Sequence, residues 1–149
     1  PERRRWEEMT AQRGLADRVT FAGRVSHDDM SRLYAECDVF VFTSLRDTSG
    51  NVLLEAMACA RPMVCLKWAG PADVTDDRCA IRIEPQSPSQ VVRDLAAALE
   101  ELASDPARRQ TMGLHGYQRA RERFTWESKI RTMNERYREV AAQAHGPIA

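Results

Sequence analysis

Residues 38–66 read DVFVFTSLRDTSGNVLLEAMACARPMVCL and carry the clearest secondary-structure pattern of the chain. Residues 38–42 form a continuous apolar run without alternation, which is typical of a parallel strand covered on both faces. The segment from 50 to 60 is predicted to be a helix, and residues 62–66 are predicted to be the next strand. A strand, a helix and a second strand in this order predict a parallel pair joined by a crossover helix.

The rest of the chain extends the same pattern. Two more strands are expected, and with the first pair they give a sheet of residues 18–22, 38–43, 62–66 and 80–83. Helices are predicted from residue 2 to 13, from Ser26, from Pro88, from Asp105-Pro106 with a break near Gly113–Gly116, and over 125–143, before a loose tail at 145–147. The alternation of strands and helices predicts an α/β domain with a parallel sheet flanked by helices.

Two predicted helices carry apolar stripes that are expected to face the core. The stripe after Pro88 is Val91, Val92, Leu95, Leu99 and Leu102. The stripe of the last helix is Ile130, Met133, Tyr137 and Val140.

Composition excludes several classes of function. The chain has 149 residues, 43% hydrophobic and 30% charged, with a formal net charge of +0. This balance gives no general attraction to nucleic acid or to anionic membrane. The cluster Arg3–Arg5 is flanked by glutamates, which indicates a solvated helix face. No apolar run approaches the roughly 20 residues that span a bilayer, and we expect no signal peptide.

The cysteines and the first residue give two further expectations. Cys37, Cys59, Cys65 and Cys79 form no C-x-x-C pair and have apolar neighbours, so buried reduced thiols are expected. This favours a cytoplasmic protein, and the expectation includes a place at the membrane surface for the full-length molecule. Because the chain opens on Pro1 in mid-pattern, we expect it to be part of something larger.

Glu55 is the unusual residue of the central helix. Apolar side chains cover nearly every direction of the helix, and only Asn51 and Glu55, four residues apart, are polar. A carboxylate on a buried helix needs a hydrogen-bonding partner. One interpretation is that the helix start faces a ligand cleft beyond the carboxyl ends of the strands. The alternative is that Asp47 or Ser49 caps the helix while Glu55 pairs with an arginine.

Three blocks of this region resemble the donor-site signature of the family 4 glycosyltransferases, which are retaining enzymes of the GT-B fold. The blocks are DTSG at 47–50, EAMA at 55–58 and ARPM at 60–63. The resemblance continues over residues 19–25, 38–44, 69–74 and 124–126. It implies that residues 1–149 are a partial C-terminal, nucleotide-sugar-binding domain with a Rossmann-like sheet, truncated at its N-terminus.

The resemblance assigns roles to individual residues. Glu55 is expected to bind the ribose hydroxyls of a UDP- or GDP-linked sugar, and Asp47 to contact hydroxyls of the donor sugar. The backbone N–H groups from Thr48 to Asn51, which include Ser49 and Gly50, are expected to reach sugar and diphosphate oxygens. Backbone groups around Arg24 and Val25 are expected to hold the base. No metal and no other cofactor is implied.

The chain also departs from the family pattern. Asp47 is shorter than the usual Glu, Thr48 and Ser49 replace Gly and Phe, and Ala60 replaces the Gly after the helix. The Arg and Lys that clamp the diphosphate are absent, as is the acceptor domain, so the fragment alone is expected to be inert. Lys67 and Arg61 are interpreted as solvated surface charges rather than substitutes for the clamp.

Three functions are compared. The first is the donor-binding half of a retaining glycosyltransferase for surface polysaccharide or glycolipid assembly. The second is a non-catalytic nucleotide-binding or assembly module. An upstream coding sequence that supplies the Arg and the Lys-Gly loop of the diphosphate clamp would exclude this second function. The third is a phosphoacceptor receiver domain. This function fails because the chain lacks the acidic pair that a receiver domain requires at the end of an earlier strand. The truncated sheet edge is also expected to favour dimerisation across strand 18–22.

Overall fold

We describe the protein from a computed structural model that defines residues 2–144 of the chain. The tail predicted at residues 145–147 lies outside this range. The chain divides into two compact units, Pro1–Met30 and Ser31–Ala149, and each is described by itself.

The N-terminal unit contains helix α1 (Glu2–Gln12) and a 3-10 helix (Ala16–Arg18), and helix α2 (His27–Glu36) begins at its end. The three arginines of α1 form ion pairs with glutamates of the same helix: Arg3–Glu7 at 2.7 Å, Arg4–Glu8 at 2.9 Å and Arg5–Glu2 at 3.5 Å. The solvated helix face predicted for these arginines is therefore confirmed.

The strand predicted over residues 18–22 is wrong. Arg18 ends the 3-10 helix, Val19 is 41% exposed, and the carbonyl of Phe21 accepts a hydrogen bond from the Arg3 guanidinium at 3.1 Å. A strand needs a neighbouring backbone to complete its hydrogen bonds, and no strand among residues 2–144 pairs with this segment. Because residues 18–22 form no strand, the dimerisation predicted across a strand at 18–22 lacks its structural basis.

The second unit carries a three-stranded parallel sheet of β1 (Phe40–Phe42), β2 (Met63–Leu66) and β3 (Ala80–Ile83), in the order β1-β2-β3. The other three predicted strands are thus confirmed. Helix α3 (Asn51–Ala58) connects β1 to β2, and helix α4 (Ala69–Val74) connects β2 to β3. Because a crossover helix starts beyond the carboxyl end of its first strand, α3 and its preceding loop begin at the carboxyl edge of the sheet.

The prediction that residues 38–42 are covered on both faces is wrong for β1. Val41 is 40% exposed, whereas all four residues of β2 are buried. The reason is position, because in the sheet formed by the described residues β1 lies at an edge and β2 lies between two strands.

Helix α5 (Pro88–Ser104) and helix α6 (Pro106–Arg123) complete the core. Ser87 caps α5 in a capping box with Gln90, and Asp105 caps α6 by accepting a hydrogen bond from the N–H of Arg108. The core cluster consists of Val64, Leu66, Ile83, Ala98, Leu102 and Met112, with Val91 and Leu95 packed against it.

Part of the stripe predicted for α5 is wrong. Val92 is 66% exposed and Leu99 is 39% exposed. The buried face instead repeats through Val91, Leu95, Ala98 and Leu102. Val92 and Leu99 each lie one residue, or about 100°, around the helix from that face.

The helix break predicted near Gly113–Gly116 is also wrong, since α6 is continuous. A methyl group on Gly113 would overlap the carbonyl oxygen of Ala60 and lie 2.9 Å from its carbonyl carbon. Ala60 itself follows α3 in the left-handed conformation, with φ 53°. Gly113 therefore serves close packing between α6 and the chain after α3.

Helix α7 (Trp126–Ala144) begins where predicted, because the Thr125 hydroxyl accepts a hydrogen bond from the N–H of Ser128 at 3.2 Å. Its predicted inner face is wrong, and the exposed fractions are 57% for Ile130, 50% for Met133, 64% for Tyr137 and 64% for Val140. Within residues 2–144, α7 packs mainly against α6, and that contact leaves this stripe open. None of the described helices is long and apolar enough to cross a membrane.

All four cysteines are free thiols. Cys65 and Cys79 are buried as predicted, whereas Cys37 and Cys59 are only half-buried. Burial raises the pKa of Cys79 to about 11, so this side chain stays protonated at neutral pH.

Candidate functional site

The loop before α3 is organised by Asp47. Its Oδ1 accepts hydrogen bonds from the backbone N–H of Gly50 at 2.7 Å and of Ser49 at 2.9 Å, and from the Ser49 hydroxyl at 3.4 Å. Gly50 adopts φ 66°, a left-handed conformation that suits glycine. The N–H groups of Gly50 and Ser49 hold the pKa of Asp47 below its usual value.

This geometry shapes the loop but does not cap α3, because the N-cap residue is Gly50 and no side chain of the described residues bonds the first turn, so the capping role that the sequence left open for Asp47 or Ser49 is wrong. It also divides the backbone donors of the loop into two groups. The N–H groups of Ser49 and Gly50 are engaged by Asp47, whereas those of Thr48 and Asn51 have no hydrogen-bond partner among the described residues. Oδ2 of Asp47 likewise accepts no bond there. Thr48, Asn51 and this oxygen are therefore the groups that remain available to a ligand.

Helix α4 packs directly against the loop. A methyl group on Gly70 would lie 2.6 Å from the carbonyl oxygen of Thr48 and 3.0 Å from the backbone nitrogen of Ser49. A methyl group on Gly50 would lie 3.1 Å from Val74. Since two backbone segments approach this closely, Gly70 fixes the loop against α4.

Arg119 of α6 holds the other end of α4. Its guanidinium donates to the carbonyl of Val74 at 2.8 Å and to Oδ2 of Asp76 at 2.8 Å. Burial works against ionisation of Asp76, but Arg119 and the N–H of Arg78 outweigh it and hold its pKa below the usual value. Arg119 was not predicted from sequence, and Gly70 was included only as part of the resembling segment 69–74, because only the folded chain brings these residues to α4 and to the loop.

Glu55 is half-buried one turn into α3, and its partner is a tyrosine rather than an arginine. The Tyr34 hydroxyl donates to Oε2 of Glu55 at 3.0 Å. Oε1 accepts no hydrogen bond from the described residues. The helix is also less buried than predicted, because Asn51 and Ala58 are exposed. Tyr34 had no predicted role in the site, although its hydroxyl, a hydrogen-bond donor, was a signal that could have indicated one.

The two basic residues considered as clamp substitutes have other partners. Lys67 is exposed and pairs with Glu84 at 2.6 Å, as expected for a surface charge. Arg61 is half-buried and donates to the carbonyls of Cys59 at 2.8 Å and Cys37 at 2.9 Å, so it is not a solvated charge. It precedes β2 and therefore lies at the amino edge of the sheet, away from the carboxyl edge where α3 starts.

Two predicted base-binding residues lie in the N-terminal unit, where Arg24 is exposed and Val25 is half-buried. Their part in the site stays a prediction. Within residues 2–144 there is no group of three or more His, Cys, Asp or Glu side chains that could hold a metal ion.

A separate cavity of about 320 Å³ lies at the carboxyl ends of the strands. It is lined by Thr43, Leu45, Leu66, Pro85, Gln86, Ser87, Pro88 and Val91. None of the predicted site residues contributes to it, so it is distinct from the loop 47–51 and from Glu55.

The lowered pKa of Asp47 gives a prediction about pH. Its bonds to the loop should persist above the ordinary carboxyl pKa and be lost as the pH falls through the lowered value, because a protonated carboxyl is a weaker acceptor. Amide NMR signals of Ser49 and Gly50 should report this transition in acid. Asp47→Asn should lack it. Signals that titrate at or above the ordinary carboxyl pKa would contradict this role of Asp47.

The chain is similar in sequence and in structure to known glycosyltransferases. The D-inositol 3-phosphate glycosyltransferase of Paenarthrobacter aurescens is 34% identical over 130 residues, which are 87% of this chain and 31% of that protein. Sucrose-phosphate synthase from Thermosynechococcus elongatus is 31% identical with a TM-score of 0.78, over 95% of this chain and 35% of that one. The chain spans about a third of the length of the curated relatives it matches.

A third similarity concerns the fold alone. The structure of Anabaena HepE in complex with UDP has a TM-score of 0.69 and 23% identity, and the match covers 94% of this chain and 36% of that one. The α/β fold with its parallel sheet is thus that of GT-B glycosyltransferases, as predicted. The model of the family described as "Glycosyl transferases group 1" matches residues 1–105, and the chain belongs to this family.

Proposed function

We propose that this chain is the donor-binding part of a retaining, family 4 glycosyltransferase that uses a UDP- or GDP-linked sugar. The observation that carries the proposal is Glu55. This carboxylate is half-buried near the start of α3, with one oxygen held by Tyr34 and the other free to accept. A free carboxylate oxygen one turn into a helix that starts at the carboxyl edge of a parallel sheet suits the hydroxyl groups of a ribose.

The loop supplies complementary groups for the rest of the donor. The open N–H of Asn51 lies at the positive end of α3 and suits a diphosphate oxygen, and the open N–H of Thr48 lies three residues before it. Oδ2 of Asp47 is available to a hydroxyl of the sugar. Ser49 and Gly50 keep the loop in shape through Asp47, and in this proposal they donate to the ligand only if that bond opens.

The reaction breaks the bond between the anomeric carbon and the diphosphate oxygen, and forms a bond from the same carbon to an acceptor hydroxyl, whose proton is released. The enzyme retains the anomeric configuration in this proposal. The positive end of α3 stabilises charge on the departing diphosphate. The Arg and Lys that complete this stabilisation belong to other parts of the enzyme, so this chain alone transfers no sugar.

The acceptor would be bound by a domain outside this chain. Two observations support such a domain: the chain spans about a third of its curated relatives, and α7 leaves an apolar stripe open. Surface polysaccharide or glycolipid assembly is the proposed setting. The alternative is a non-catalytic nucleotide-binding or assembly module, which the same nucleotide contacts would also serve.

An NMR titration of the labelled chain with UDP and with GDP tests the proposal. We expect the largest amide shifts at Thr48, Asn51 and the residues around Glu55. Shifts restricted to the cavity at the strand ends or to α7, or no saturable shift with either nucleotide, would contradict it. Sugar transfer by the chain itself would overturn the proposed need for a second domain.

A further inference from the structure

The contact between α2 and α3 at Tyr34 extends the proposed site. Tyr34 is 4% exposed, and its hydroxyl reaches across to Oε2 of Glu55, 21 residues further along the chain. Burial, the hydrogen bond to Glu55 and the charge of Glu55 raise the pKa of Tyr34 well above its usual value. The hydroxyl therefore keeps its proton and acts as a donor to the carboxylate at any working pH.

The tyrosine ring is itself held in place. It packs edge-on against Phe40 of β1, with ring centroids 5.4 Å apart and an angle of 67° between the planes. Phe40 in turn stacks on Phe42 at 6.3 Å. Because the ring packs on a strand of the sheet, its hydroxyl presents a fixed point to the Glu55 side chain, which otherwise has three rotatable bonds.

We propose that Tyr34 is a positioning residue that fixes the Glu55 carboxylate so that Oε1 faces the ribose hydroxyls of the donor. This inference rests on the proposed function and names a second residue for the same site. Oε2 is engaged by the tyrosine and Oε1 is open, so the carboxylate meets its ligand already oriented. A group that is oriented before binding loses less side-chain entropy when the ligand arrives.

A merely structural tyrosine would behave differently. It would stabilise the packing of α2 on α3 and would affect all ligands of the site equally. A positioning tyrosine acts through Glu55 and therefore affects only ligands that carry ribose hydroxyls. The difference can be measured with UDP and GDP and their 2′,3′-dideoxy counterparts, which lack both hydroxyls.

The test compares the wild-type chain with Tyr34→Phe, Glu55→Gln and the double variant. Tyr34→Phe retains the ring that packs on Phe40 and removes only the hydroxyl. We expect a three- to tenfold loss of affinity, about the effect of one hydrogen bond, for the nucleotide that binds more tightly. We expect no loss for its dideoxy counterpart. The double variant should bind no more weakly than Glu55→Gln, because Tyr34 acts through Glu55.

Tyr117→Phe is the matched control, since Tyr117 lies on α6, is 37% exposed and should not alter binding. Melting curves of all variants report folding. If Tyr34→Phe binds like the wild type while Glu55→Gln binds more weakly, the inference is wrong and the proposed function stands. Equal losses for the ribose and dideoxy ligands would make Tyr34 structural. If the wild type does not distinguish the two ligands, the ribose contact of Glu55 fails, and the inference fails with it.

Discussion

Replacing Gly113 with alanine should lower the free energy of unfolding by about 3 kcal/mol, at the upper end of the usual cost of overpacking. The added methyl group would overlap the carbonyl oxygen of Ala60, which is backbone and cannot rotate away. Ala60 is already in the left-handed conformation, so the chain after α3 has little room to adjust. Either α6 moves away from α3 or the turn at Ala60 breaks.

Urea unfolding of Gly113→Ala beside Gly116→Ala measures this effect. Gly116 is one turn further along α6, and a methyl group there would meet the Met57 side chain at 3.4 Å, an ordinary contact. Alanine favours a helix over glycine by about 1 kcal/mol, so Gly116→Ala should be neutral or slightly stabilising. Similar unfolding free energies for the two variants would contradict the close approach at Gly113.

The helices and strands that could be predicted from sequence have strong local signals. Strand β2 follows an apolar run, and the residues just before α5, α6 and α7, which are Ser87, Asp105 and Thr125, each accept a hydrogen bond from the first turn of the helix. These signals depend on neighbours in sequence and need no knowledge of the tertiary structure.

The wrong predictions concern features that depend on contacts between residues distant in sequence. Residues 18–22 have strand-forming side chains, but a strand also needs a partner, and local sequence does not reveal that. Gly113 was interpreted as a helix breaker. The absence of a side chain at this residue instead allows close contact with the backbone of Ala60, 53 residues earlier in the chain. The stripe of α7 has helical periodicity, yet periodicity does not say which surface covers it.

In the candidate site, too, some residues could be recognised from sequence, whereas their partners could not. Glu55 could be chosen from sequence because a carboxylate on an apolar helix is unusual, and Asp47 because its block, DTSG at 47–50, resembles a donor-site signature. Their partners could not be chosen, because Tyr34 reaches Glu55, 21 residues further along, only in the folded chain. Gly70 likewise meets Thr48 only in the folded chain.

The second large effect concerns Glu55→Gln. Glutamine is nearly isosteric, and its carbonyl oxygen can still accept the Tyr34 hydroxyl, so the melting temperature should barely change. The ribose hydroxyls would lose a charged acceptor, which is worth about 1.5–3 kcal/mol. The account therefore predicts a roughly ten- to hundredfold weaker affinity for UDP or GDP.

Nucleotide affinity and thermal stability, measured together for the wild type, Glu55→Gln and the control Glu84→Gln, decide whether Glu55 binds the donor nucleotide. Glu84 is an exposed glutamate paired with Lys67, and its replacement should leave affinity unchanged. We expect that Glu55→Gln alone loses affinity while all three proteins melt at similar temperatures. If Glu55→Gln binds UDP and GDP normally but melts much lower, Glu55 is a structural partner of Tyr34 and the assignment of the donor site is wrong.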